Sequence, residues 1–179
     1  MKTKTNYRWL ITVVLISIAA TMFFTFASSE VLGYAGYVVA LVVLAVFVLI
    51  GIVFDMIGIA VAAATEAPFH SMATHRERGA TESLRLIKNA DKVTGFCNDV
   101  VGDVCGIISG ATAALIATRL ASGLNTETIV FPLLISGAVT GLTVGGKAAG
   151  KTFAFNNSTK IVLKVGKLLN LLQPKKSSK

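Results

Sequence analysis

This sequence predicts an all-α integral membrane protein with about four transmembrane helices, a cytoplasmic juxtamembrane helical belt and a C-terminal amphipathic helix. Apolar residues make up 54% of its 179 positions and mean hydropathy is +0.72, more than a soluble domain of this length needs. Several uncharged runs approach the roughly 20 residues that a helix uses to cover the hydrocarbon of a bilayer. The basic residues, in turn, fall almost entirely between alternate runs.

The first run, Trp9 to Ser29, lies between Arg8 and Glu30. The second, Val31 to Thr65, is interrupted only by Asp55 and would be about 52 Å long as one straight helix. That exceeds a bilayer, so it tilts, protrudes or breaks. The third, Val104 to Thr118, becomes a full span only if the more polar stretch from Val93 is included. The fourth runs from Thr128 to Gly146, between Glu127 and Lys147. The first run reads as an uncleaved anchor; a signal peptide is the alternative, since Lys2, Lys4 and Arg8 precede it and Ala27 and Ser28 end it.

The net charge of +8 raises the possibility of a nucleic-acid partner, but the placement of the charge argues against it. With four spans drawn, the start, the middle segment (Arg76, Arg78, Arg85, Lys88, Lys92) and everything from Lys147 onward fall on one side. Only Arg119 of the 17 basic residues is left for the other. This is the positive-inside pattern, so the expectation is a multi-pass plasma-membrane protein with both termini cytoplasmic. Its partners are then the lipid bilayer and anionic head groups at the inner face, with no nucleic acid.

A short connection centred on Ser29 to Gly33 is expected to turn the first two spans into a hairpin. The break in the long second run is expected at Ala62 to Pro68, because proline lacks the N–H that bonds to the preceding turn and disfavours helix at Ala67. Carbonyls left open there need a partner, for which a cation and a helix contact are both candidates. The belt, about 67–92, is polar and charged, with Gly79 as a joint and with His70 and His75 read as surface residues. From Asn157 to Leu172 the lysines at 160, 164 and 167 share a helix with eight aliphatic residues, the pattern of a helix lying on a membrane face or docking on a partner. The divisions drawn are therefore 1–30 for the anchor, 31–155 for the three-span domain and 156–179 for the amphipathic helix and basic tail.

Ionisable groups in a bilayer cost about 2.5 to 3.5 kcal/mol at a helix centre, which singles out Asp55, Glu66, Asp99, Asp103 and Lys147, with the polar amide of Asn98 beside them. Asp99 and Asp103 share a helix face beside Asn98 and offer hard oxygen ligands of the kind Mg²⁺ takes. Ion pairing with Lys147 and Lys151, or simple solvation, are the competing readings. Cys97 and Cys105 are about 12 Å apart along a helix, out of disulfide reach, and read as packed thiols. Two stripes of small residues, Gly102, Gly106, Gly110, Ala114 and Gly137, Gly141, Gly145, Ala149, suit close helix packing within the chain or across a dimer.

The order of these features from Val38 to Leu172 resembles the transmembrane domain of the CNNM/CorC family of magnesium transport proteins. Ala63-Ala64-Thr65-Glu66 looks like the family's Ser-x-Ser-Glu, and Asn89-Ala90-Asp91-Lys92 resembles its Asn-Pro-Glu-Arg. Cys97-Asn98 matches its Gly-Asn with a short gap. Gly146-Lys147-Ala148-Ala149-Gly150-Lys151 looks like its Gly-Glu-x-x-Pro-Lys, and Phe153-Ala154-Phe155-Asn156-Asn157 like the Leu-Ala-x-Arg-Asn that follows.

That resemblance implies a homodimer and a site for dehydrated Mg²⁺, which carries over onto Ala63, Thr65, Asn98, Gly146 and Lys147. Two positions depart from the pattern: Ala63 has no ligand oxygen, and Lys147 replaces a carboxylate with an ammonium. The family's nucleotide-binding CBS domains have no counterpart in this sequence. The functional expectation is divalent-cation transport using Thr65, Asn98, Asp99 and Asp103 with the carbonyls of the broken helix. No organic cofactor and no enzymatic step are expected. The alternative is a non-transporting scaffold or regulatory partner of another membrane protein, in which Lys147 has taken the cation's place.

Overall fold

A computed structural model of the chain describes residues 7–34, 36–123 and 130–172. Lys2 and Lys4, the Glu127–Thr128 start of the fourth run, and Lys175, Lys176 and Lys179 of the basic tail lie outside the described residues. The described residues are helical almost throughout, with no strand among them. The helices are α1 (Tyr7–Tyr34), α2 (Tyr37–Ala63), α3 (Glu66–Thr74), α4 (Ala80–Lys88), α5 (Ala90–Gly95), α6 (Asp103–Gly123), α7 (Val130–Asn156) and α8 (Ser158–Leu172). A π-helical segment, Phe96–Gly102, joins α5 to α6. Four stretches among the described residues are long and apolar enough to cross a membrane: Tyr7–Phe26, Tyr37–Ala63, Ala90–Gly123 and Pro132–Asn156.

One expectation about a boundary is corrected. The turn expected at Ser29 to Gly33 is helical instead, since α1 continues to Tyr34, and Gly36 is the first described residue outside helix. Glycine within an apolar helix lowers helix propensity by about 1 kcal/mol, too little for Gly33 alone to end one. The helix that carries the fourth uncharged run extends past Gly146. Helix α7 carries Lys147 and Lys151 on to Asn156, because nothing in Gly-Lys-Ala-Ala-Gly-Lys lacks an N–H or forces the backbone out of helix.

The chain divides into two compact units. The first comprises Met1–Ile52 and Asp99–Gly146. Its core is a seam in which Ala40, Leu44 and Val48, spaced one helical turn apart on α2, cluster with Ala113 and Ile116 of α6. Phe24 of α1 meets Phe47 of α2 edge to face, with ring centroids 6.0 Å apart. The Tyr37 hydroxyl donates to the Arg119 carbonyl at 3.3 Å. The outward side chains, among them Ile11, Met22, Leu133, Leu134 and Leu142, are apolar and exposed, a surface suited to lipid rather than water.

Five glycines of the two stripes do not make the close contacts within this unit that their spacing suggests. A Cβ added at Gly106, Gly110, Gly137, Gly141 or Gly145 would meet nothing within 4 Å.

The second unit comprises Val53–Asn98 and Lys147–Lys179. Phe69 of α3 is its fully buried anchor, clustered with Ile59, Ala60 and Val61 of α2, Ala154 of α7 and Val162 of α8. Gly79 sits in the left-handed region at φ 84° and starts α4, the joint expected from its place in the sequence. Helix α8 buries Val162 and Gly166 and packs against α4. Its docking partner is thus within its own chain, while Lys160 and Lys164 stay exposed and Lys167 pairs with Glu77 at 3.2 Å.

Candidate cation site

The long second run breaks where proline chemistry places the break. Helix α2 ends at Ala63, the Ala64 N–H still reaches the Ala60 carbonyl at 3.0 Å, and Thr65 is extended at φ −95°, ψ 148°. Pro68 then falls in the first turn of α3, where a missing N–H costs little. The last carbonyls of α2, from Val61 to Ala63, lie beyond the reach of the helical ladder and face the end of an apolar span. Thr65 itself is exposed and makes no capping hydrogen bond with its side chain. His70 contacts Glu66 one turn along at 3.2 Å, so the histidine next to the break is occupied by a surface pair.

Asn98 arrives from the other direction, in the π-helical segment. A π turn takes one extra residue, which rotates the side chains that follow and recurs at functional positions in helices. Its start is tied to α2, as the Thr94 hydroxyl donates to the Gly58 carbonyl at 3.1 Å. Gly58 also receives Asn98: a Cβ there would collide with Asn98 Oδ1 and lie 3.2 Å from the Cys97 Cβ. The missing side chain of Gly58 therefore makes the room that the amide oxygen occupies. Asn98 Oδ1 is buried and has no hydrogen-bond partner among the described residues. A buried acceptor left in that state costs about 1 to 3 kcal/mol, and a cation or a donor placed against it removes the cost.

The residues singled out from sequence are divided between the two units. Thr65 and Asn98 belong to the second, together with Ala63 and Lys147, whereas Asp99, Asp103 and Gly146 belong to the first. Asp99 and Asp103 are exposed, and Lys147 is half-buried. Cys97 and Cys105 are both buried, and no disulfide joins them. No group of three or more His, Cys, Asp or Glu side chains is gathered in metal-binding reach among the described residues.

No family model, curated protein or solved structure matches the chain.

Sequence reasoning assigned no part to Gly58 and left Asp55 without a role. A signal for both was present: Ala40, Leu44, Val48, Gly51, Asp55 and Gly58 recur at steps of three and four, one continuous helix face, and all are buried. In a helix that is apolar all round, that face is masked by hydrophobic neighbours. Only the small and polar members of the series reveal it.

Proposed function

We propose that this chain is a multi-pass plasma-membrane protein, both termini cytoplasmic, whose last three spans form a CNNM/CorC-like unit that binds and conducts a divalent cation such as Mg²⁺. It works as a homodimer and without chemical catalysis. The observation that supports this reading is the buried, unpartnered oxygen of Asn98, held in a π-helical turn within a span-length helix. Hard oxygen donors are what Mg²⁺ selects, and the carbonyls at the end of α2 are donors of the same kind. The charged belt and Lys160, Lys164 of α8 suit contact with anionic lipid.

Reconstitution tests it. Purified protein in liposomes is expected to bind Mg²⁺ by calorimetry and pass it to an entrapped indicator. Asn98→Ala is expected to weaken binding about tenfold or more, corresponding to loss of one contact of about 1.5 kcal/mol to a charged group. Wild-type protein that neither binds nor conducts Mg²⁺ overturns the reading.

A second reading is favoured by the exposure of Asp99 and Asp103 and by the ammonium at Lys147. In it the chain is a non-transporting scaffold or regulatory partner, presenting the belt and α8 to another membrane protein. Wild-type protein that ignores Mg²⁺ while Lys147→Glu creates binding would establish that alternative.

A further inference from the structure

A divalent ion needs negative charge as well as neutral oxygens, and the exposed carboxylates of Asp99 and Asp103 do not enclose one. Asp91, at the start of the Ala90–Gly123 stretch, is exposed as well, whereas Asp55 of α2 is buried. It is only 9% exposed within a helix whose mean hydropathy reaches 3.2, and no hydrogen bond or ion pair engages it among the described residues. A carboxylate so placed is costly to insert and is kept where something binds it.

Its position relative to Asn98 follows from helix geometry. Asp55 and Gly58 are three residues apart on one face of α2, with Cβ positions about 5 to 6 Å apart. Asn98 Oδ1 lies against the place that a Gly58 Cβ would take. The Asp55 carboxyl, one bond beyond its own Cβ, and the amide oxygen are therefore neighbours along one turn of α2, near enough for a single ion with metal–oxygen bonds of about 2.0 to 2.6 Å to join them once the side chains turn toward it.

We infer that Asp55 is the anionic ligand of the divalent-cation site that Asn98 opens, joined to it across the gap left by Gly58. The inference rests on the cation-binding reading above and supplies the charge which that reading lacks. It also assigns Gly58 a function: a larger residue would displace one ligand of the pair.

The full chain in lipid nanodiscs, titrated with Mg²⁺ alone by calorimetry, distinguishes the outcomes. Asp55→Asn, neutral and of the same shape, is expected to weaken Mg²⁺ at least about tenfold, since ligand charge sets affinity at such sites, and Asp55→Glu to retain most of it. A second measurement needs no variant: carbodiimide modification of Asp55, located by peptide mass spectrometry, is expected to be suppressed by Mg²⁺. If wild type and Asp55→Asn bind equally while Asn98→Ala fails, or if Mg²⁺ leaves Asp55 labelling unchanged in protein that binds it, the assignment of Asp55 is overturned and the cation-binding reading stands. If wild type binds no Mg²⁺, both fall.

Discussion

The Ser83 hydroxyl shares its hydrogen between the Gly79 carbonyl at 2.8 Å and the Val162 carbonyl at 3.1 Å, so one buried side chain links the start of α4 to α8. Gly166 lies against the same hydroxyl and the same Gly79 carbonyl, and Gly79 in turn against the backbone of Gly166 and Lys167. Two glycines and a serine let the backbones of α4 and α8 come close enough to interlock. The exposed pair Lys167–Glu77 at 3.2 Å and the half-buried pair Asn170–Glu82 at 2.9 Å flank this contact.

Gly166→Ala is expected to loosen α8 from α4. The added methyl would overlap Ser83 Oγ and a backbone carbonyl that cannot swing aside, a cost of about 1 to 3 kcal/mol against a gain of about 1 kcal/mol in helix propensity. Limited proteolysis should then cut the chain near Asn157 sooner than in the wild type, with the spans unaffected.

Gly79→Val should be the more damaging of the two glycine replacements. A β-branched residue at φ 84° is strained by about 1 to 3 kcal/mol before its side chain meets the α8 backbone. A drop in the thermal unfolding midpoint larger than that of Gly166→Ala checks this. Equal midpoints for Gly79→Val and wild type would show that α4 does not depend on this joint.

Lys167→Ala, by contrast, is expected to cost under about 1 kcal/mol. Its ammonium and the Glu77 carboxylate are both nearly half exposed, where water and salt screen the pair. The difference from wild type, measured by denaturant unfolding, should shrink further as salt is added.

Gly58→Ala tests the candidate site through its packing. A methyl there displaces Asn98 Oδ1, so Mg²⁺ affinity should fall by about tenfold or more, as for loss of one contact of about 1.5 kcal/mol. Calorimetry in nanodiscs reads the loss. Unchanged affinity would mean that the oxygen beside Gly58 takes no part in binding.

Much of the helical scaffold could be read from the chain because its causes are local. Apolar runs fall on α1, α2, α6 and α7, the third reaching span length only with the polar stretch before it, and Pro68 marks the break after Ala63. Gly79 as a joint and the helix that begins at Ser158 likewise follow from neighbouring residues alone. The end of α1 was placed too early, since Gly33 inside an apolar helix is a weak stop.

What the sequence by itself determined, then, is the set of helices and the polar residues they carry: Asp55, Asn98, Asp99, Asp103 and Lys147. Only the tertiary structure decided which of those are buried and which glycines are contacts. It leaves Asp99 and Asp103 exposed, encloses Asp55 and the Asn98 oxygen, and gives close approach to Gly58, Gly79 and Gly166 rather than to the regular stripes at Gly106, Gly110, Gly137, Gly141 and Gly145. The physical reason is that helix propensity and hydropathy act along the chain, over one or two turns. Burial and close approach depend on which face of one helix meets which face of another, and the inserted residue of a π turn is enough to rotate that face.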